Sequence, residues 1–352
     1  MILHKEIKFS TASNIQKLYP LFKSKNHSFV PHTKIQLLLV KIVSDIENYK
    51  EDRPSVLTIG TFDGVHIGHQ KIIRNLVSQA KEKDHLAVVL TFFPHPRMVL
   101  QKDSSIRLID TLEEKQKILA SLGVDILVIH PFSKEFSRLT PLEFTRDLLV
   151  NTFKISKVII GYDHRFGRNR EASIQDLHQF SAVYNFEVEE IPAQEISSVN
   201  ISSTKIRTAL VEGDLEMVNA YLNRPYLLTG TVSKGAGLGR TIGFPTANIE
   251  IKEAYKLCPP NGVYRVQSII DGKLVFGMMN IGIRPTVGGD NKTIEIHYFE
   301  FDKDIYQQTL AIEIRSKLRE EQKFDSLEAL QKQLQEDKKT CIRLFDSEKS
   351  ED

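Results

Sequence analysis

The stretch Gly60-Thr61-Phe62-Asp63-Gly64-Val65-His66-Ile67-Gly68-His69 decides how the first half of the chain is read. Before it lies Ser55-Val-Leu-Thr-Ile59, a short apolar run typical of a buried strand. After it, Ile72, Ile73, Leu76, Val77 and Ala80 recur at helical spacing. Glycines between a strand and a helix allow a tight turn and a close approach of ligand to backbone. The helix that starts near Gly68 offers free N–H groups and a partial positive charge at its end. His66 and His69 sit at that turn, where imidazole N–H groups can donate to phosphate oxygens as charge builds up during transfer. Such a site suits the α-phosphate of a nucleotide. A metal site is a poor fit, since His-x-x-His on a loop supplies only two ligands.

Outward from this segment, strand and helix patterns alternate. Leu86–Phe93, Asp125–Phe132, Val158–Gly161 and Phe186–Ile191 read as strands. Leu112–Leu122, Pro141–Asn151, Ile174–Tyr184 and one long helix over Thr204–Leu222 read as helices. This alternation predicts an α/β domain with a parallel sheet covered by helices. Ligands in such sheets bind at the carboxyl ends of the strands. Gly60–Gly68, Pro94–Pro96 and Gly161–Gly167 all fall there.

After Asn223-Arg-Pro225 the pattern changes to strands over Tyr226–Val232, Val263–Ile270, Leu274–Ile281, Thr293–Phe301 and Thr309–Arg315. Asp271-Gly272 is a strong hairpin signal. One clear helix follows, Ser326–Gln335. A small antiparallel barrel or sandwich is expected here. Two domains result, 41–222 and 223–345, preceded by residues 1–40, an extension with no persistent period. That extension is either peripheral or upstream sequence translated from a wrongly chosen start, with Lys41-Ile-Val leading into the first strand.

Composition agrees with this division. At roughly 100–200 residues per domain, 352 residues make two or three domains, and 41% hydrophobic residues suffice for real cores. A net charge of +2 removes the composition argument for a nucleic-acid partner. The early apolar run Leu37–Val40 is far short of the roughly 20 residues that a membrane span needs, and the N-terminus has no signal-peptide pattern. Two distant cysteines, Cys258 and Cys341, build neither a disulfide framework nor a zinc site, which suits a reducing cytoplasm.

Two further constellations carry chemistry. In Ile201-Ser-Ser-Thr-Lys-Ile-Arg207, Ser202, Ser203 and Thr204 are natural N-cap residues. Their hydroxyls and the helix N-terminus make a second anion site, with Lys205 and Arg207 in reach of a triphosphate. In Gly235-Ala-Gly-Leu-Gly-Arg-Thr-Ile-Gly-Phe-Pro-Thr-Ala-Asn248 the glycine spacing matches neither a P-loop nor a dinucleotide fingerprint. Its backbone N–H groups can still close over phosphates. Thr246 and Asn248 offer hard oxygens suited to Mg²⁺. In Thr293–Phe299, alternation puts Ile294, Ile296 and Tyr298 on one face and Glu295 and His297 on the other. A carboxylate facing into a barrel mouth can accept a proton from an attacking hydroxyl. A solvated strand face is the other reading of Glu295, and Asp163 is either a nucleotide ligand or a turn cap.

These motifs together resemble the bacterial bifunctional riboflavin kinase/FAD synthetase family. Gly60–His69, Thr91-Phe-Phe-Pro-His-Pro96, Gly161-Tyr-Asp-His-Arg-Phe-Gly167 and Ile201–Arg207 look like the four motifs of its HxGH adenylyltransferase half, which implies a Rossmann-like domain. Gly239–Asn248, Asn261-Gly-Val-Tyr264, Asn280–Thr286 and Ile294–His297 look like its riboflavin kinase half, which implies a six-stranded antiparallel barrel with a C-terminal helix. The resemblance implies ATP and flavins as substrates, Mg²⁺ as the metal, and FMN and then FAD as products.

It also implies residue roles. His66 and His69 would act on the transferred phosphate. Gly60, Phe62, Asp63 and Gly68 would bind nucleotide together with Asp163, Ser203, Thr204 and Arg207. In the kinase half, Gly235, Gly237, Gly239 and Arg240 would close over ATP. Thr246 and Asn248 would hold the metal, Glu295 would be the base, and Arg319 would lie near flavin. Two positions depart from the family pattern: Phe93 stands where a polar residue is frequent and Ala172 where glycine is. The other readings are a different HxGH nucleotidyltransferase and a nucleotide- or flavin-binding regulator.

Overall fold

The computed structural model describes residues 40–101, 105–161, 165–168, 171–192, 201–235, 237–286 and 289–350. The extension assigned to residues 1–40 falls almost wholly outside the described residues, and Asp163 falls outside them too.

Six strands form a parallel sheet in the order β1-β4-β3-β2-β5-β6. They are β1 Lys41–Val43, β2 Ser55–Ile59, β3 Leu86–Phe92, β4 Ile126–His130, β5 Ile155–Gly161 and β6 Glu187–Ile191. Every residue of β2 is buried, as expected for a central strand covered on both faces. Lys41-Ile-Val was expected to lead into the first strand. It is itself an edge strand, paired in parallel with β4.

The helices of this half are α1 Ile67–Glu82, α2 Pro96–Leu100, α3 Leu112–Ser121, α4 Pro141–Glu143, α5 Ile174–Tyr184, α6 Ser203–Glu212 and α7 Leu215–Leu222. The single helix expected over Thr204–Leu222 is therefore two. Gly213 takes a left-handed φ of 82°, and Asp214 starts α7 by accepting the Met217 N–H at 2.9 Å. The helix expected over Pro141–Asn151 widens after α4 into a π-helix over Phe144–Thr152, closed by the Phe153 N–H on the Leu148 carbonyl at 3.0 Å.

The second half is a closed antiparallel barrel in the order β10-β11-β8-β7-β12-β9. Its elements are β7 Tyr226–Ser233, α8 Leu238–Thr241, β8 Ala247–Glu250, β9 Gly262–Ile270, β10 Lys273–Thr286, β11 Gly289–Tyr298 and β12 Thr309–Arg319. Asp271 and Gly272 turn β9 into β10 with φ values of 51° and 76°, the left-handed pair of a two-residue hairpin. Ile294, Ile296 and Tyr298 fill the interior with Leu228, Val266 and Ile312. The final helix α9, Leu327–Ser350, runs well past the predicted Gln335. Its Cys341 and Phe345 pack with Phe244, Val263, Met278 and Phe299 on the outer wall.

The two halves share one core. Ile109, Ile206, Leu210 and Leu222 belong to the cluster that fills the barrel. Across the junction, Glu114 and Lys256 form an ion pair at 2.6 Å with both side chains 0% exposed. Glu114 also accepts the Thr229 N–H at 2.9 Å. Phe93 packs on Tyr255 of the barrel half, ring centroids 5.0 Å apart. An aromatic side chain at this position thus serves the junction. Ala172, 2% exposed, exchanges both backbone hydrogen bonds with Phe166.

Candidate active sites

The first site lies after β2, at the centre of the parallel sheet, where the strand order changes direction. The turn from Gly60 to His66 is held in uncommon backbone geometry, with Phe62, Gly64 and Val65 at φ 44°, 86° and 38°. His66 is the N-cap of α1, and its Nδ1 accepts the His69 N–H at 3.4 Å. The proton of the neutral ring is then on Nε2, which remains a donor. The His66 and His69 rings stack at 3.7 Å, 18° from parallel, with Phe62 edge-on to His69 at 5.2 Å. Burial pushes the His66 imidazole down to about 4, against an opposing pull from Asp110. Burial, then the neighbouring His66 and Lys115, push His69 down as well. Both rings are neutral at pH 7 and donate as N–H dipoles. His69 Nδ1 is buried without a hydrogen-bond partner among the described residues.

Beneath the histidines is a buried charge cluster. Asp63 is 1% exposed. Its Oδ2 takes Arg207 Nη2 at 2.6 Å and its Oδ1 takes the Ile109 N–H at 2.9 Å. Ser203 Oγ donates to the Asp63 carbonyl at 2.9 Å. The structure therefore brings Phe62, Asp63, His66, His69, Ser203 and Arg207 together, with Gly60 and Gly68 bounding the loop. Asp63 reaches Arg207 rather than open space, which makes it an aligner of that guanidinium. Ser202 is the N-cap of α6, accepting the Lys205 N–H at 3.3 Å, and Thr204 stays exposed on the first turn.

Sequence reasoning missed Lys115 and Asp110, and quoted His95 within the second motif without giving it a role. Lys115, 3% exposed, donates to the Thr61 carbonyl at 2.7 Å, and burial lowers its ammonium. Its signal was a lysine on the apolar stripe of α3, in register with Leu112 and Leu119. Asp110 is 1% exposed and pairs with Arg224. His95 is pushed down to about 4 by burial, with Arg207 and Lys115 adding to it.

The second site is on the barrel wall. Glu295 of β11 lies opposite Asn248 of β8, and Asn248 lies opposite Ser233 of β7. The three residues form one row across adjacent strands. The expectation that Glu295 faces the barrel mouth is corrected here. Its neighbours Ile294 and Ile296 fill the interior, so pleating turns Glu295 to the outer wall. His297, on that same face, is fixed by Nδ1 to the Pro245 carbonyl at 2.9 Å. A cavity of about 410 Å³ opens beside the row, lined by Ser233, Asn248, Glu250, Lys256, Cys258 and Lys292 among others.

The glycine loop packs onto the same residues. A Cβ on Gly235 would fall 2.0 Å from Asn248 Nδ2, so only glycine admits the amide at this place. Gly237 caps α8 at φ 71°, Gly239 backs onto the Phe244 carbonyl, and Arg240 is exposed on α8. Thr246 is half-buried, two residues before Asn248 and just ahead of β8. Arg319, expected near flavin, is engaged within the barrel half. Its guanidinium grips Asp337 of α9, Nη2 to Oδ2 at 2.7 Å and Nε to Oδ1 at 3.0 Å, and so ties the helix to the barrel.

The chain matches a family model described as FAD synthetase over residues 48–205 and one described as riboflavin kinase over residues 222–345. It is 39% identical over 296 residues to the bifunctional riboflavin kinase/FMN adenylyltransferase of Listeria monocytogenes, covering 84% of this chain and 93% of that one. The chain belongs to this bifunctional family. Relatives with the same description are 35% identical in Bacillus subtilis and 34% identical in Escherichia coli, the latter covering 87% of this chain and 98% of its own. Among solved structures, a protein from Streptococcus pneumoniae described as a macrolide-efflux protein superposes with a TM-score of 0.78 at 29% identity, covering 86% of this chain and 99% of that one. Among the described residues of the present family member, no helix is long and apolar enough to cross a membrane.

Proposed function

We propose a division of labour among named residues for the two reactions of this bifunctional transferase. The barrel half phosphorylates riboflavin with ATP, giving FMN and ADP. The α/β half then joins FMN to the AMP moiety of ATP, giving FAD and pyrophosphate.

In the kinase reaction, the ribityl 5′-hydroxyl is placed beside Glu295, which takes its proton as the oxygen attacks the γ-phosphorus. The backbone N–H groups of Gly235, Gly237 and Gly239 would lie over the phosphates. The Thr246 hydroxyl and the Asn248 amide oxygen are hard donors of the kind Mg²⁺ takes, and the amide is held by its packing on Gly235. Thr246 and Asn248 would hold the ion beside the nucleotide, where it would supply neutralisation of phosphate charge.

In adenylyl transfer, the FMN phosphate is already an anionic nucleophile, so no general base is required. The His66 and His69 N–H groups donate to the α-phosphate oxygens, where charge develops. Arg207, aligned by Asp63, and the N-terminus of α6 take the leaving pyrophosphate. The half-buried rings of Phe92, Phe132 and Phe136, with centroids 5.3–5.9 Å apart at the carboxyl ends of β3 and β4, give the flavin ring an aromatic surface. A reducing cytoplasm suits the two separate thiols, Cys258 and Cys341.

The observation that carries this reading is the presence of two phosphate-handling constellations on two different architectures, one with paired neutral histidines and one with a carboxylate beside hard oxygen donors. The test is incubation of the protein with riboflavin, ATP and Mg²⁺, followed by chromatographic separation of flavins. FMN appears first and FAD follows. Tight flavin binding without turnover would refute the reading.

A further inference from the structure

Arg224 lies in the stretch that matches riboflavin kinase, outside residues 48–205. Its guanidinium nevertheless crosses into the other half. Nη2 donates to Asp110 Oδ1 at 2.6 Å and to the carbonyl of Gly64 at 3.2 Å. The pair is deeply buried, with Arg224 7% and Asp110 0% exposed at the side chain.

Both recipients matter to the first site. Gly64 sits inside the nucleotide loop, between Phe62 and Val65, in a turn with three left-handed residues. Such backbone persists only where its surroundings hold it. A second clasp comes from α1 of the α/β half itself: Gln70 Nε2 donates to the carbonyls of Val65 and Leu222 at 2.9 and 2.8 Å. Asp110 follows Ile109, whose N–H holds Asp63 and whose side chain would lie 3.0 Å from a Cβ on Gly64. Asp63 in turn aligns Arg207. Tyr226 Oη adds a hydrogen bond to the Ile109 carbonyl at 3.1 Å, again from the barrel half.

We propose that Arg224, a residue of the kinase half, is a positioning residue for adenylyl transfer, holding the Gly64 carbonyl and the Ile109–Asp110 segment so that His66, His69 and Arg207 meet the phosphates in one fixed arrangement. It touches no substrate. Its Nη2 holds both acceptors while Nη1 donates to the Pro225 carbonyl at 3.3 Å, a rigid planar arrangement that a lysine ammonium on a flexible stem reproduces less well. The first half of the chain thus has its catalytic loop braced by the second.

The test uses full-length Arg224→Gln and, because a lone buried carboxylate destabilises, the charge-free double variant Arg224→Gln with Asp110→Asn. Each is assayed for FAD formation from FMN and ATP, with kcat and KM for ATP resolved, and for FMN formation from riboflavin in the same preparation. The expected result is a fall in adenylyl-transfer kcat of about tenfold to a hundredfold, the scale of an approximately 1 Å misplacement. KM for ATP changes much less, FMN formation stays near wild type, and Arg224→Lys falls in between. If the folded double variant keeps adenylyl-transfer kcat within twofold of wild type, the proposal is wrong. It is equally wrong if the variants lose both activities in proportion, because Arg224 is then only a strut of the fold.

Discussion

The two sites solve the handling of phosphate in opposite ways. The proposed adenylyltransferase site is built from side chains already fixed against one another: stacked histidines, an Asp63–Arg207 pair and a buried Lys115 under the Thr61 carbonyl. The proposed kinase site has a row of side chains on three strands, Ser233, Asn248 and Glu295, and a glycine loop whose Gly235, Gly237 and Arg240 are exposed. The chemistry explains the contrast. A phosphate monoester needs no activation, so the α/β site invests in immobile donors. A ribityl hydroxyl must lose a proton, so the proposed barrel site includes a base, Glu295.

The contrast breaks most clearly if either catalytic set serves both reactions. Glu295→Gln should lower FMN formation by about 10²–10⁴-fold, the usual contribution of a general base, while FAD formation from supplied FMN continues. His69→Ala should lower FAD formation by about 10²–10³-fold, as for a lost transition-state donor, with FMN formation retained. Next is Gly235→Ala. Its Cβ would displace the Asn248 amide from 2.0 Å, so FMN formation should fall by about a hundredfold and FAD formation from FMN should hold. Steady-state assays on both substrates check all three.

Two smaller effects sharpen the difference in burial. The folded pKa of His66, about 4, lies below the ordinary 6.5. The unfolded chain therefore binds more protons between these values, and stability is lost as pH falls from 6.5 towards 4. His66→Asn keeps an N-cap acceptor and removes the titration. Urea unfolding at several pH values should show a slope shallower by up to about 1.4 kcal/mol per pH unit in that window. An unchanged slope would mean that His66 is not buried as a neutral ring. Smallest is Phe93→Ser, which loses the Tyr255 contact and should cost about 1 kcal/mol of stability, read as a lowered urea midpoint.

Much of this was legible in the sequence because it is periodic or local. Strand–helix alternation gave the parallel sheet, Asp271-Gly272 gave the hairpin, and the His-x-x-His turn pointed to phosphate. Elements decided by single residues were less legible. Gly213-Asp214 splits a pattern that reads as one helix, since α6 and α7 keep the same apolar period on either side. The face of Glu295 was assigned correctly relative to Ile294 and Ile296, yet alternation alone does not say which face lines a barrel's interior. Lys115, Asp110 and Arg224 were not seen because their roles depend on contacts between segments far apart in the chain, such as Arg224 with Gly64. Arg319 was expected near flavin, and its partner Asp337 lies on a stretch of α9 beyond the helix that periodicity had marked.

The most direct test of two separate sites is complementation. Folded Glu295→Gln and His69→Ala proteins are each incubated with riboflavin, ATP and Mg²⁺, alone and mixed, and the flavins are separated. Alone, the first should leave riboflavin unconverted and the second should stop at FMN. Mixed, they should yield FAD, because FMN released by one protein is adenylylated by the other. If either variant lacks both activities, or the mixture makes no FAD while the wild type does, the separation of the two chemistries between the two halves is contradicted.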